Sequence, residues 1–430
     1  MISARYARPG RHAIEHDFEL PLNAERPDGR SIRVFARELV AADKLGQDLP
    51  VLLYLQGGPG GEGPRPTDAG GWIGRALREY RVLLLDQRGT GRSSPVTTQT
   101  LAELGDAEAQ AEYLTHFRAD AIVADAEAIR RELVGADTRW SILGQSFGGF
   151  CALRYLSAAP NGLQRALITA GLASLSRPAE DVYQATYRRL RARNDAYYRR
   201  YPEDERGWSE VAAHLHEHRV RLPDGERFTV ERLQFLGMEL GRSEGFERLH
   251  WLLESAFVTV AGRRELALRF VDEVYQLQGF VANPLFAVIH EAIYAQQKAT
   301  RWAAQRALEG APEVPYRPGG PLRFTGEMIY PWMFEQFSAL RPFQAVAQAL
   351  AEKDDWPRLY DADVLAANEV PVAALAYLDD MYVDFELSRE TAEAVGNVRL
   401  WATNEYQHNG LRDDGERILD RLLAMTRAPL

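Results

Sequence analysis

One cysteine, Cys151, stands in a chain of 430 residues, so no intramolecular disulfide can form and the fold must rest on packing. No stretch approaches eighteen uninterrupted apolar residues, which gives no expectation of a membrane-spanning helix. Residues 1–18 carry no apolar run behind a basic start, the pattern of a secretory leader. The default location is therefore the cytoplasm. There is no His-Glu-x-x-His and no Gly-Lys-Ser/Thr phosphate-loop ending. A basic stripe is missing too. With 51 Lys and Arg against 61 Asp and Glu, the net charge is −10. That balance argues against nucleic acid and anionic membranes and is compatible with small or cationic substrates. Hydrophobic content of 46% and charged content of 26% are those of a globular protein with room for one large core and an inserted or second domain.

What is present starts at Trp140-Ser141-Ile142-Leu143-Gly144-Gln145-Ser146-Phe147-Gly148-Gly149. An apolar run ends in Gly-x-Ser-x-Gly and a helical pattern follows, the layout of a nucleophile elbow. The serine is expected on a strained turn, with Gly144 and Gly148 lacking the Cβ atoms that would keep strand and helix apart. Cys151, one turn into that helix, reads as a small core residue rather than a reactive thiol.

Around the elbow the pattern alternates. Ile14 to Leu22 and Ser31 to Val40 are predicted antiparallel strands joined through Pro27, Asp28 and Gly29. Pro50 to Leu55, Arg81 to Leu85, Ser141 to Leu143 and Gln164 to Thr169 are short apolar runs expected of buried strands. Trp72 to Glu79 and Ala119 to Val134 have helical spacing. From 177 to 365 helical periodicity dominates, broken by the Pro- and Gly-dense loop 311–321. Strand signals return at Val370 to Leu378 and Val398 to Ala402, and Gly415 to Met425 closes the chain as an amphipathic helix. The reading is an α/β core with a mostly parallel sheet, formed by residues 1–176 and 366–430 and interrupted by a helical cap at 177–365.

A serine hydroxyl needs a base, and the base needs an orienting acid. In this architecture the order is Ser, then Asp or Glu, then His, with the partners just beyond strand ends. Asp379 and Asp380 follow Val370 to Leu378. His408 follows Val398 to Ala402 and is the sole histidine of nine to come after the acid. The expected triad is Ser146, Asp380 and His408, with Asp379 and then Asp384 as alternative acids. An oxyanion hole is expected from the N–H of Phe147 and from Gly58, in the loop Leu55-Gln56-Gly57-Gly58-Pro59-Gly60-Gly61. Asp86-Gln87-Arg88-Gly89-Thr90-Gly91-Arg92-Ser93 reads as a loop bracing the site, with Asp86 and Arg88 paired inside the protein.

Taken together, Gly57-Gly58-Pro59-Gly60, Asp86 to Ser93 and Gly144 to Gly149 resemble the prolyl aminopeptidases (proline iminopeptidases), serine peptidases of the α/β-hydrolase fold. The resemblance covers the first 175 residues well. At the far end it is carried by Asp380-Met381-Tyr382-Val383 and Glu405 to Gly410, which look like the longer members. One departure is Gln56, where many relatives have histidine. The resemblance implies removal of an N-terminal residue, usually proline, from a peptide with a free N-terminus, without metal or organic cofactor. It implies cap glutamates that hold the substrate's amine. Glu291, in His290-Glu291-Ala292-Ile293-Tyr294, and Glu327, in Phe324-Thr325-Gly326-Glu327-Met328-Ile329-Tyr330, resemble these. An esterase or amidase acting on small substrates would need the same triad, and a catalytically silent binding protein would keep the fold alone. The sequence leaves the oligomeric state open, self-association included.

Two clusters are decoys. His214-Leu215-His216-Glu217-His218 does not place three rings on one side of a helix, so no shared metal is expected. Tyr197-Tyr198-Arg199-Arg200-Tyr201 reads as a polar helix face with aromatic anchors rather than a base-stacking platform.

Overall fold

The computed structural model describes residues 2–68 and 70–427. Its centre is a nine-stranded sheet in the order β1-β2-β3-β5-β4-β6-β7-β10-β11. The strands are β1 (Ile2–Arg8), β2 (Arg11–Pro21), β3 (Ser31–Ala41), β4 (Val51–Leu55), β5 (Arg81–Asp86), β6 (Trp140–Gln145), β7 (Leu163–Thr169), β10 (Val372–Tyr377) and β11 (Val398–Thr403). β1, β2 and β3 pair antiparallel, and β3 joins β5 antiparallel. From β5 to β11 every pairing is parallel.

The strand sequences explain this layering. All five residues of β4 and all six of β10 are buried, as required of parallel strands covered on both faces. Alternate side chains enter opposite cores. Leu53, Leu55, Leu83, Leu85, Ile142 and Ile168 point into one, while Leu52, Tyr54, Val82, Leu84, Leu143 and Leu167 point into the other. The helices Ala119–Val134 and Phe147–Ala158 cover the first face. Gly71–Ala76 and Gly415–Arg427 cover the second. No helix among the described residues is long and apolar enough to cross a membrane.

Between β7 and β10 the chain leaves the sheet. It runs through helices beginning with Ala179–Arg200 and Pro202–Glu217, and the apolar side chains of this stretch are continuous with the first core. The segment also contains a hairpin, β8 (Phe257–Val260) with β9 (Arg263–Leu266), which the sequence reading missed. Its turn places Ala261 and Gly262 at φ +49° and +79°, the two left-handed residues of a tight hairpin. The 311–321 loop forms neither helix nor strand.

Two sequence clusters resolve as structure. Tyr197 is fully buried and accepts the Trp208 indole N–H at 3.0 Å. His214 stacks on His218 at 4.3 Å while His216 turns toward Tyr316, so the three rings do not converge.

Candidate active site

The candidate site gathers at the C-terminal edge of the parallel strands. β6 ends at Gln145, and Ser146 stands between it and the helix beginning at Phe147. Ser146 has φ +54° and ψ −124°, a conformation L-residues avoid. The turn is held by a hydrogen bond from Ser146 N–H to Thr169 O at 2.9 Å and from Gly149 N–H to Ser146 O at 2.7 Å. A Cβ on Gly144 would run into the Gly148 carbonyl, and one on Gly148 into the Leu55 carbonyl. Strand and helix touch through backbone here, which is why only glycine serves at both positions. Cys151 is wholly buried, as expected, and burial pushes its thiol far above the ordinary range.

Asp380 lies three residues past β10 and is 1% exposed. Its Oδ2 accepts from His408 Nδ1 at 2.7 Å, and its Oδ1 accepts the N–H groups of Tyr382 and Val383 at 2.8 and 3.1 Å. The neighbouring Asp379 is exposed, and Asp384 caps the helix Phe385–Ala394 and binds Arg189. Of the three acids, Asp380 alone holds His408. Desolvation would lower the His408 pKa, but the Asp380 charge and hydrogen bond, with a contribution from Glu327, outweigh it and raise it above 6.5. Tyr382 stands perpendicular to the imidazole at 4.8 Å. With Nδ1 engaged by a carboxylate, Nε2 is left to act on a hydroxyl.

The glycine loop after β4 abuts the elbow. A Cβ on Gly57 would fall 3.0 Å from that of Ser146. The loop is braced by the segment after β5. Gln87 donates its amide N–H to Gln56 O at 2.9 Å, and Asp86 accepts from Gly63 N–H at 3.0 Å. Asp86 and Arg88 are both paired, with different partners. Asp86 takes both nitrogens of Arg65 at 2.8 and 2.6 Å, and Arg88 binds Asp125 through two bonds of 2.8 and 2.6 Å.

The two cap glutamates differ. Glu327 is within electrostatic reach of the Asp380–His408 pair: its carboxylate acts on His408, and it is acted on by Asp380 and Arg242. Desolvation, with Asp380 adding to it, pushes its pKa up to about 7 against the pull of His408. Glu291 is 7% exposed, and its two oxygens accept the N–H groups of Ala303 and Ala304 at 3.0 and 2.9 Å. It caps a short helix, a role no local pattern announced because the capped residues lie twelve and thirteen positions on. Between nucleophile and cap runs a chain of rings. Phe147 meets Phe150 at 6.0 Å, Phe150 meets Tyr294 at 5.9 Å, and Tyr294 meets Tyr183 at 5.8 Å. Glu327 bears electrostatically on both tyrosines.

Away from this edge, Glu203, Asp204 and His250 bring potential ligand atoms within 4.8 Å of one another. Asp204 already serves the Tyr197 hydroxyl and His250 Nδ1, so the cluster is satisfied internally.

A sequence model described as the alpha/beta hydrolase fold matches residues 50–277. A proline iminopeptidase of Aeromonas sobria is 50% identical over 423 residues, 98% of each chain. The chain belongs to the proline iminopeptidase family. A second family member, from Aspergillus aculeatus, is 36% identical over 97% of this chain and 94% of its own. Among solved structures, esterase E22 matches with a TM-score of 0.50 at 10% identity, covering 96% of this chain and all of its own, a likeness of fold.

Proposed function

We propose that the protein is a serine exopeptidase that releases an N-terminal residue, preferentially proline, from peptides. The observation that carries this reading is the Asp380–His408 hydrogen bond of 2.7 Å on the same sheet edge as a serine held at φ +54°. Near-full-length identity to proline iminopeptidases supports the substrate class.

In this reading Ser146 Oγ attacks the carbonyl carbon of the first residue as His408 Nε2 takes its proton. Asp380 holds the tautomer and stabilises the imidazolium. The negative oxygen of the tetrahedral intermediate is held by the N–H groups of Phe147 and Gly58. Phe147 opens its helix, so its N–H has no acceptor within that helix, and the helix dipole favours an anion there. His408 then gives its proton to the departing peptide nitrogen, and the C–N bond breaks. Water deprotonated by His408 attacks the acyl-enzyme and frees the amino acid and Ser146. No step calls for a metal or organic cofactor.

Selection of the terminal residue falls to the cap. Ionised Glu327 meets the cationic amine, and the rings of Phe147, Phe150, Tyr183 and Tyr294 enclose the pyrrolidine. Glu291, committed to Ala303 and Ala304, adds negative potential from behind this wall. A single buried thiol fits a reducing compartment, and we place the enzyme in the cytoplasm.

The test compares kcat/KM on proline β-naphthylamide and p-nitrophenyl acetate for wild type and Ser146→Ala. Preference for the naphthylamide, abolished by the substitution, is expected. An enzyme that cuts only the ester is an esterase, and activity surviving in Ser146→Ala removes the nucleophile.

A further inference from the structure

A loop of the cap is stitched directly to the histidine of the relay. The backbone N–H of His408 donates to Gly241 O at 3.3 Å. Tyr382, perpendicular to the His408 ring, packs so tightly on Gly241 that no Cβ would fit there. Ser243 N–H donates to the Asn409 side-chain oxygen at 2.9 Å, and the Asn409 amide returns a bond to Glu244 at 3.1 Å. Residues 241–244 therefore lie against His408 and Asn409, and Arg242 is carried on them.

Arg242 is a cation with little to hold it. The carboxylate it approaches, Glu239 at 3.6 Å, is bound more closely by Arg248 at 3.1 Å. Its side chain is 37% exposed, so solvent or substrate reaches it. It is near enough to His408, Glu327 and Tyr382 to bear on the ionisation of all three. Asp379, the exposed acid at this rim, is faced by Arg193, whose Nε is fixed to Leu240 O at 2.9 Å. The rim beside His408 thus carries a half-exposed guanidinium whose one close carboxylate, at 3.6 Å, is shared with Arg248, so it can take a further anion.

The position relative to the reaction gives that cation a use. The general acid must reach the leaving nitrogen, so the peptide beyond the scissile bond departs on the His408 side of the site. We propose that Arg242 binds the free C-terminal carboxylate of short substrates, making dipeptides with a terminal proline the favoured class. This rests on the reading above in which His408 protonates the leaving amine. Guanidinium and carboxylate match in charge and in paired hydrogen-bond geometry. In a dipeptide the carboxylate sits one residue from the leaving nitrogen. Each added residue moves it by roughly 3.3–3.6 Å, so a few residues carry it beyond reach of a side chain rooted on the stitched loop.

The experiment measures kcat/KM for Pro-Gly, Pro-Gly amide and Pro-Gly-Gly-Gly at low ionic strength, in wild type, Arg242→Gln and Arg242→Lys. The readout is the ratio of acid to amide within each protein, which is insensitive to the amount of folded enzyme. The expected wild-type ratio is about ten, the size of one charge-assisted contact. It falls to about one in Arg242→Gln, is partly kept in Arg242→Lys, and the tetrapeptide behaves like the amide. A wild-type ratio of one or less overturns the proposal, as does a preference that survives Arg242→Gln. Either result alongside hydrolysis of proline β-naphthylamide defeats this inference alone. Failure to cut any proline substrate defeats the reading beneath it as well.

Discussion

At the scale of single residues the site turns on charges that lean on one another. The His408 pKa is raised because Asp380 and Glu327 outweigh desolvation. A base must be unprotonated, so activity is lost as pH falls through that raised value. The acid limb of kcat/KM is expected above 6.5. Glu327→Gln removes an anion that stabilises the imidazolium, so in that variant the limb moves to lower pH, while KM for proline β-naphthylamide rises. A limb that stays put or moves up contradicts the coupling. Asp380→Asn leaves His408 in place but permits the wrong tautomer, and kcat is expected to drop roughly 10³–10⁴-fold. The same substitution at Asp379, which is exposed and does not hold the imidazole, is expected to cost less than tenfold. The sequence could rank these adjacent aspartates by position alone, since which carboxylate turns inward is decided by backbone after β10. The cap role of Glu291 was equally hidden, because its partners are backbone groups of a distant turn.

At the scale of elements, the site depends on a brace that is itself an ion pair. Arg88 and Asp125 are 1% and 2% exposed and joined by two hydrogen bonds. They tie the loop after β5 to the helix Ala119–Val134. Removing one partner strands the other charge out of water, so Asp125→Ala is expected to lower unfolding free energy by about 3–5 kcal/mol in urea melts. A loss below about 1 kcal/mol would show that the pair does not secure this loop. The elements that sequence resolved best were those with an unambiguous period. β4, β10 and the centre of β5 are continuous apolar runs, and Ala119–Val134 has the bounds its spacing predicts. β1 was missed because it is an edge strand with mostly exposed side chains and no apolar face to detect. The β8–β9 hairpin was missed because its strands are four residues each, largely solvated, and set in helical surroundings.

At the scale of the whole molecule, three stretches far apart in the chain meet at one edge. The first part of the core supplies Ser146, the inserted helical stretch supplies Glu327 and Arg242, and the returning core supplies Asp380 and His408. Order along the chain made the Asp380–His408 pair legible, because a doubly covered parallel sheet presents its strand ends on one side. The stretch between β7 and β10 was legible as mostly helical but its inward-facing groups were not, since helical periodicity says which face is buried and not what it is buried against. Together these parts describe an enzyme that measures one residue from a free amine. The most direct test is to compare kcat/KM for proline β-naphthylamide and its N-acetylated counterpart. Preference for the free amine by at least about a hundredfold is predicted, from loss of a cation facing Glu327 and the clash of the added acetyl group with the cap. Equal rates on the two substrates would contradict it.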